Sequence, residues 1–142
     1  MSNARFTKMV YLADWKNTLE CGKQITNINW YFDNYGPFVR DVETKAKAND
    51  NLFSIMFDAN IYGQAKKIFK LKNNNILTNL DENERRSIAS VVEETWKLYW
   101  KDFIKLVYST HPVASSDRYT YLDLVSKAKE YKTIKEIRQN RV

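Results

Sequence analysis

The chain of 142 residues holds one cysteine, Cys21, and one histidine, His111. Structural zinc usually takes four Cys or His ligands, so no metal site is expected. Three scattered glycines do not build a loop that cradles phosphate. A nucleophile and its base need only meet in space, so Cys21 and His111 form a conceivable dyad. The competing reading is packing: Cys21 stands at the expected end of a helix, and His111 directly precedes Pro112. Ser109-Thr110-His111 matches no nucleophile motif. Glu93 and Glu94 are adjacent, and adjacent helical side chains point apart, which makes them a solvated pair. Asp14 reads as a helix-surface carboxylate rather than a catalytic acid. No catalytic residue, metal or cofactor is therefore expected, and a binding protein rather than an enzyme is indicated.

Binding chemistry has two sources. The net charge is +6, with Lys66, Lys67, Lys70 and Lys72 clustered and a basic run from Lys127 to the C-terminus. A basic surface favours nucleic acid or an acidic partner. Exposed lysines also keep proteins soluble and blunt sheet edges, the simpler reading here. Trp30, Tyr31, Phe32 and Tyr35 could stack on bases, although core and sheet packing is the favoured explanation. Exposed Trp, Tyr and Arg are also the residues that dominate protein interfaces.

These residues must be held by a domain of ordinary size. Residues 1–142 read as one domain, large enough for its own core. Apolar residues make up 44% and aromatics 14%, which argues against disorder. The unpaired cysteine fits a reducing compartment, hence the cytoplasm. No apolar run is long enough to span a membrane, and no signal peptide is visible in residues 1–16.

Phe6, Met9, Val10 and Ala13 mark one face of a first helix, with Leu12, Trp15 and Leu19 as a second stripe. Gly22 is its natural left-handed stop. Ile28, Trp30 and Phe32 alternate like a short strand. Gly36-Pro37 follows, with Pro37 suited to the first position of a helix. Residues 52–57 and 67–72 read as a β-hairpin. Asp81 with Glu84 forms a capping box for a helix whose stripe runs from Ile88 through Tyr99, with a bend near Asp102. Trp30 and Trp96 lie on apolar stripes and are expected to be buried. Pro112 ends the helical pattern, and Tyr121-Leu122-Asp123-Leu124 opens a last helix. The expected class is α+β: mostly helical, with a small antiparallel sheet.

Taken in order, several of these segments resemble a known family. They are Lys8-Met9-Val10-Tyr11-Leu12-Ala13-Asp14-Trp15, then Gly22-Lys23-Gln24-Ile25-Thr26, then Trp30 and Tyr35-Gly36-Pro37-Phe38-Val39-Arg40-Asp41-Val42. Leu106-Val107-Tyr108-Ser109-Thr110-His111-Pro112 and the segment from Tyr121 to Tyr131 continue the series. The series is similar to the Panacea domain, the SocA-like antitoxin family, which also occurs in phage-associated proteins. The resemblance implies a bacterial or phage antitoxin that binds and neutralises a cognate protein toxin. One branch looks like an adaptor to a cytosolic protease. Trp30, Tyr35, Gly36, Pro37 and Asp41 match the family motif and are expected to be structural. Arg40 and Asp41 are the candidate partner contacts. The alternative is a nucleic-acid-binding protein that uses Lys66, Lys67, Lys70 and Lys72.

Overall fold

Helix α1, Asn3–Cys21, packs against the helices Asp41–Ala48, Glu82–Thr95 and Leu124–Gln139 and the strand Ala65–Leu71, more partners than any other element is shown to have. Ser2 caps it by accepting a hydrogen bond from Arg5 N at 3.2 Å, and Gly22 stops it in the left-handed conformation at φ +79°. A non-glycine residue would be strained there. In the computed structural model, residues 1–59, 65–71 and 79–140 are described.

After α1 the chain makes a tight antiparallel pair, β1 (Phe32–Asp33) and β2 (Gly36–Pro37), in which Phe32 faces Pro37 and Asp33 faces Gly36. Helix α2 covers Asp41–Ala48. Strands β3 (Phe53–Ala59) and β4 (Ala65–Leu71) pair antiparallel from Phe53↔Leu71 to Ala59↔Ala65. Helices α3 (Glu82–Thr95), α4 (Trp100–Ser109), α5 (His111–Ala114) and α6 (Leu124–Gln139) complete the order. The mostly helical α+β class is the one expected. So is the second hairpin, although the connection at residues 60–64 and Lys72 fall outside the described residues.

Tyr11, Trp15, Trp30, Phe32, Phe103, Val107, Leu122 and Leu124 lie in one core cluster. Tyr11 and Trp30 meet edge-on at 5.5 Å between centroids, a favoured aromatic geometry. Residues 119–122 run beside residues 30–32: Phe32 N donates to Thr120 O at 2.9 Å and Leu122 N to Trp30 O at 2.8 Å. These bonds satisfy the backbone of the buried aromatic segment.

Three expectations are corrected. Pro37 does not begin a helix. It sits in β2, where its missing N–H is tolerated at a short strand, and α2 begins four residues later at Asp41. The long helical stripe after Asp81 breaks at residues 96–99, before Trp100, rather than near Asp102. Because of that break Trp96 is 61% exposed, whereas Trp30 is fully buried as expected.

Candidate functional site

Asp14 is fully buried on α1, so the surface-carboxylate expectation fails. Its Oδ1 accepts from the backbone N–H groups of Ile25 and Thr26, both at 2.9 Å. Its Oδ2 accepts from Thr26 Oγ1 at 2.5 Å, from Trp30 Nε1 at 2.9 Å and from Gln24 Nε2 at 3.4 Å. Burial pushes the Asp14 carboxyl above its ordinary range, against the pull of the Thr26, Trp30 and Ile25 donors. The carboxyl ties the loop after α1 to the helix, and every donor comes from residues 24–30. Its role is to hold Trp30 and the following hairpin in place.

That hairpin carries Tyr35 at its tip, 78% exposed. Gly36 behind it has φ +104°, and a Cβ there would lie 3.4 Å from Tyr108 Cε2 and 3.5 Å from Lys8 Cε. The positive φ favours glycine at this position, while a Cβ would meet Tyr108 and Lys8 at ordinary contact distance. Tyr35, Phe38, Trp100 and Tyr108 line a cavity of about 530 Å³, together with Lys8 and Asp33.

Lys8 lies at this cavity with only 2% of its surface exposed. Burial lowers its pKa from 10.5 to about 8, partly offset by the negative charge of Asp33. The sign of the resulting pH dependence follows from proton counting. The unfolded chain keeps Lys8 protonated up to 10.5 and the folded chain only to about 8, so the folded state pays a charge-burial penalty in full below about 8. The penalty is relieved as pH rises through that window. Folding stability is therefore expected to rise by about 2 kcal/mol between about pH 7 and about pH 9.5, an order-of-magnitude figure. Tyr11 opposes the rise at higher pH, because burial raises its pKa and the unfolded chain ionises first. Urea midpoints across this range, for the parent and for Lys8→Met, test the assignment. A rise of equal size in both proteins would remove Lys8 as its cause.

The break between α3 and α4 sets the second feature. Arg5 Nη2 donates to Thr95 O at 2.7 Å, and its guanidinium stands 4.5 Å from the Phe103 ring centroid. Arg5 thereby caps the end of α3 and pins the corner to α1. At the corner Trp96 and Tyr99 project outward, Tyr99 being 85% exposed, and Trp100 is also exposed. Trp100 joins this corner to the cavity that Tyr35 lines. The result is a group of exposed aromatics, Trp96, Tyr99 and Trp100, at the corner, with Trp100 and Tyr35 lining one cavity. Helical periodicity in the sequence concealed it, because the same residues extend an apolar stripe.

The sequence candidates are distributed elsewhere. Arg40 and Asp41 are exposed at the start of α2, beside a second cavity of about 660 Å³ whose walls include Phe6, Val10 and Val42. Arg40 lies just ahead of the helix and Asp41 in its first turn, where a carboxylate is favoured by the helix dipole. Glu43 binds both Lys47, at 3.0 Å, and Lys67, and these cations hold its carboxyl below the usual range. Lys67 is thus engaged within the fold, while Lys70 is exposed. The side chain of Lys66 and all of Lys72 lie outside the described residues. Cys21 is contacted by Asn83 and Asn17, whereas His111 Nε2 lies 2.9 Å from Glu130 Oε1. Among the described residues no hydrogen bond joins Cys21 to His111. Glu93 and Glu94 are exposed, and Glu94 pairs with Lys16 at 3.5 Å. No helix among the described residues is long and apolar enough to cross a membrane.

A family model described as "Antitoxin SocA-like, Panacea domain" matches residues 6–112. The matched span takes in Lys8, the Asp14–Trp30 connection, the first hairpin and the aromatic corner. No curated protein and no solved structure matches the chain.

Proposed function

The chain belongs to the SocA-like antitoxin family with the Panacea domain, and we propose that it neutralises a cognate protein toxin by binding it through the aromatic face of Trp96, Tyr99, Trp100 and Tyr35. The observation that carries this reading is the exposure of those large aromatics, three of them at the corner that Arg5 ties to α1. Exposed contiguous apolar surface marks interaction sites, and Trp and Tyr are over-represented among residues whose truncation abolishes binding. Arg5 holds the corner through Thr95 O, so little ordering entropy is left to be lost on binding. Arg40 and Asp41 provide a second, polar contact point at the start of α2. Arg40 presents a planar fork suited to a partner carboxylate.

The test is co-expression with the product of the adjacent open reading frame. The parent is expected to relieve toxicity and to co-purify with that product. Trp96→Ala and Tyr99→Ala are each expected to weaken the complex by about 2 kcal/mol, roughly thirtyfold. Their unfolding free energies should stay within about 0.5 kcal/mol of the parent, since both side chains are exposed. Arg40→Ala is expected to weaken rescue less. Undiminished binding by the Trp96 and Tyr99 variants would move the interface elsewhere. A parent that binds no product of a neighbouring gene would remove the antitoxin role for this chain. Passage of the complex to a cytosolic protease would register as a shorter toxin half-life in co-expressing cells.

A further inference from the structure

Tyr119 is, among the described residues, the one non-glycine with a left-handed backbone, at φ +67°. Residues other than Gly, Asn and Asp rarely take that conformation, and a bulky aromatic takes it at a cost. Hydrogen bonds to the first hairpin hold it there. Tyr119 N donates to Phe32 O at 2.6 Å, and its hydroxyl donates to Asn34 Oδ1 at 2.5 Å. Its neighbour Arg118 donates through Nε to Asn34 O at 3.2 Å. Tyr119 is nevertheless 59% exposed and takes no part in the core cluster. A turn alone does not ask for tyrosine, since Gly or Asn would close it with less strain. Strained residues persist where their surroundings over-determine them, and they cluster at ligand contacts. Asn34 joins two exposed tyrosines, for it bonds Tyr119 and directly precedes Tyr35. Tyr121, also exposed, packs against Tyr31 at 5.1 Å between centroids.

We infer that Tyr119 is a partner-contact residue, and that with Tyr35 it presents a tyrosine pair to the same protein partner as the aromatic corner. This step rests on the toxin-binding reading above. Tyr35 already belongs to the surface assigned there, and Tyr119 extends that surface across Asn34 onto the loop of residues 117–120. The loop lies beyond residues 6–112, the span that the family model matches. A tyrosine brings a broad apolar ring and a hydroxyl at little cost in side-chain entropy. Charge selects the class of partner. Exposed tyrosines also stack on bases, but proteins that bind single strands line the groove with cations. The charged residues of the hairpin tip and the loop are Asp33, Asp117 and Arg118, one cation against two anions. Arg118 is turned onto Asn34 O and the Phe32 ring. Such a surface disfavours phosphate and fits a protein face that is not strongly acidic.

The full chain and its variants Tyr119→Gly and Tyr119→Asn are titrated with the product of the adjacent open reading frame, and their urea midpoints are measured alongside. Both substitutions remove the ring and suit a left-handed backbone. Each is expected to weaken binding about tenfold while the urea midpoint stays near that of the parent, because relief of the strain offsets the lost bond to Asn34. That combination marks a residue kept for function at a cost in stability. Tyr119→Phe keeps the ring, which the backbone bonds still place, and is expected to bind like the parent. A midpoint that falls in both variants makes Tyr119 a structural clamp and overturns the inference; where Tyr119→Gly alone loosens the loop, Tyr119→Asn decides. Undiminished binding by the variants beside a parent that binds overturns this inference and leaves the antitoxin role standing. A parent that binds no such product removes the antitoxin role, and this inference with it. Tighter binding of an oligothymidylate than of that product, lost in both variants, assigns the surface to nucleic acid and overturns the protein partner.

Discussion

Asp14→Ala is expected to cost on the order of 4 kcal/mol or more, because it strands several buried donors at once. The backbone N–H groups of Ile25 and Thr26 and the indole N–H of Trp30 all end on this carboxylate. Domains of this size have only about 5–15 kcal/mol in total, so a large share of the fold is at stake. Asp14→Asn keeps the shape but replaces one accepting oxygen with a donating amide, which would face the donors on its side. An intermediate loss of about 2 kcal/mol is expected from that mismatch. Urea unfolding at neutral pH, read by circular dichroism, measures both. If Asp14→Asn were as stable as the parent, the site would hold a neutral carboxylic acid, whose hydroxyl can turn as an amide does.

Trp30→Ala comes second in size, at about 3–5 kcal/mol for a fully buried large aromatic. The indole fills the core edge-on to Tyr11, and its backbone carbonyl accepts from Leu122 N. Trp30→Phe retains most of the packing and removes the Nε1 donor to Asp14, so about 1–2 kcal/mol is expected. The two positions share one hydrogen bond and should not add. A double-mutant cycle of Trp30→Phe with Asp14→Asn is expected to give a coupling of about 1 kcal/mol. Full additivity would mean that the indole N–H finds another acceptor and that the staple does not depend on it.

Both changes act on the frame. Trp96 and Tyr99 occupy the opposite situation, exposed on a corner whose geometry Arg5 maintains. Frame variants should lose folding and binding together, whereas face variants should lose binding alone. This separation identifies the partner surface without knowledge of the partner.

Much of the frame was legible in the residues themselves. Periodic apolar positions marked α1 and α6, Gly22 marked the stop of α1, and Asp81 with Glu84 formed the capping box at α3. Alternation marked the β3–β4 hairpin. Each of these signals is local, since the residues that carry it lie within one element or one turn of the chain. The motif around Tyr35-Gly36-Pro37 was visible as a turn, but its type was not. Pro37 suits a helix start and a short strand equally, and the pairing with Phe32 decided between them.

The site was decided by contacts that local patterns do not encode. Asp14 looks like a surface carboxylate until residues 24–30 fold over it. Lys8 becomes buried only when the first hairpin and α4 close around its chain. Trp96 and Trp30 both lie on apolar stripes, yet one is exposed and the other enclosed. A stripe states that a face is apolar and says nothing of what covers it. The break at residues 96–99 turns the chain before the core can take in Trp96, and the placement of Arg5 on Thr95 fixes that turn from 90 residues away in the sequence.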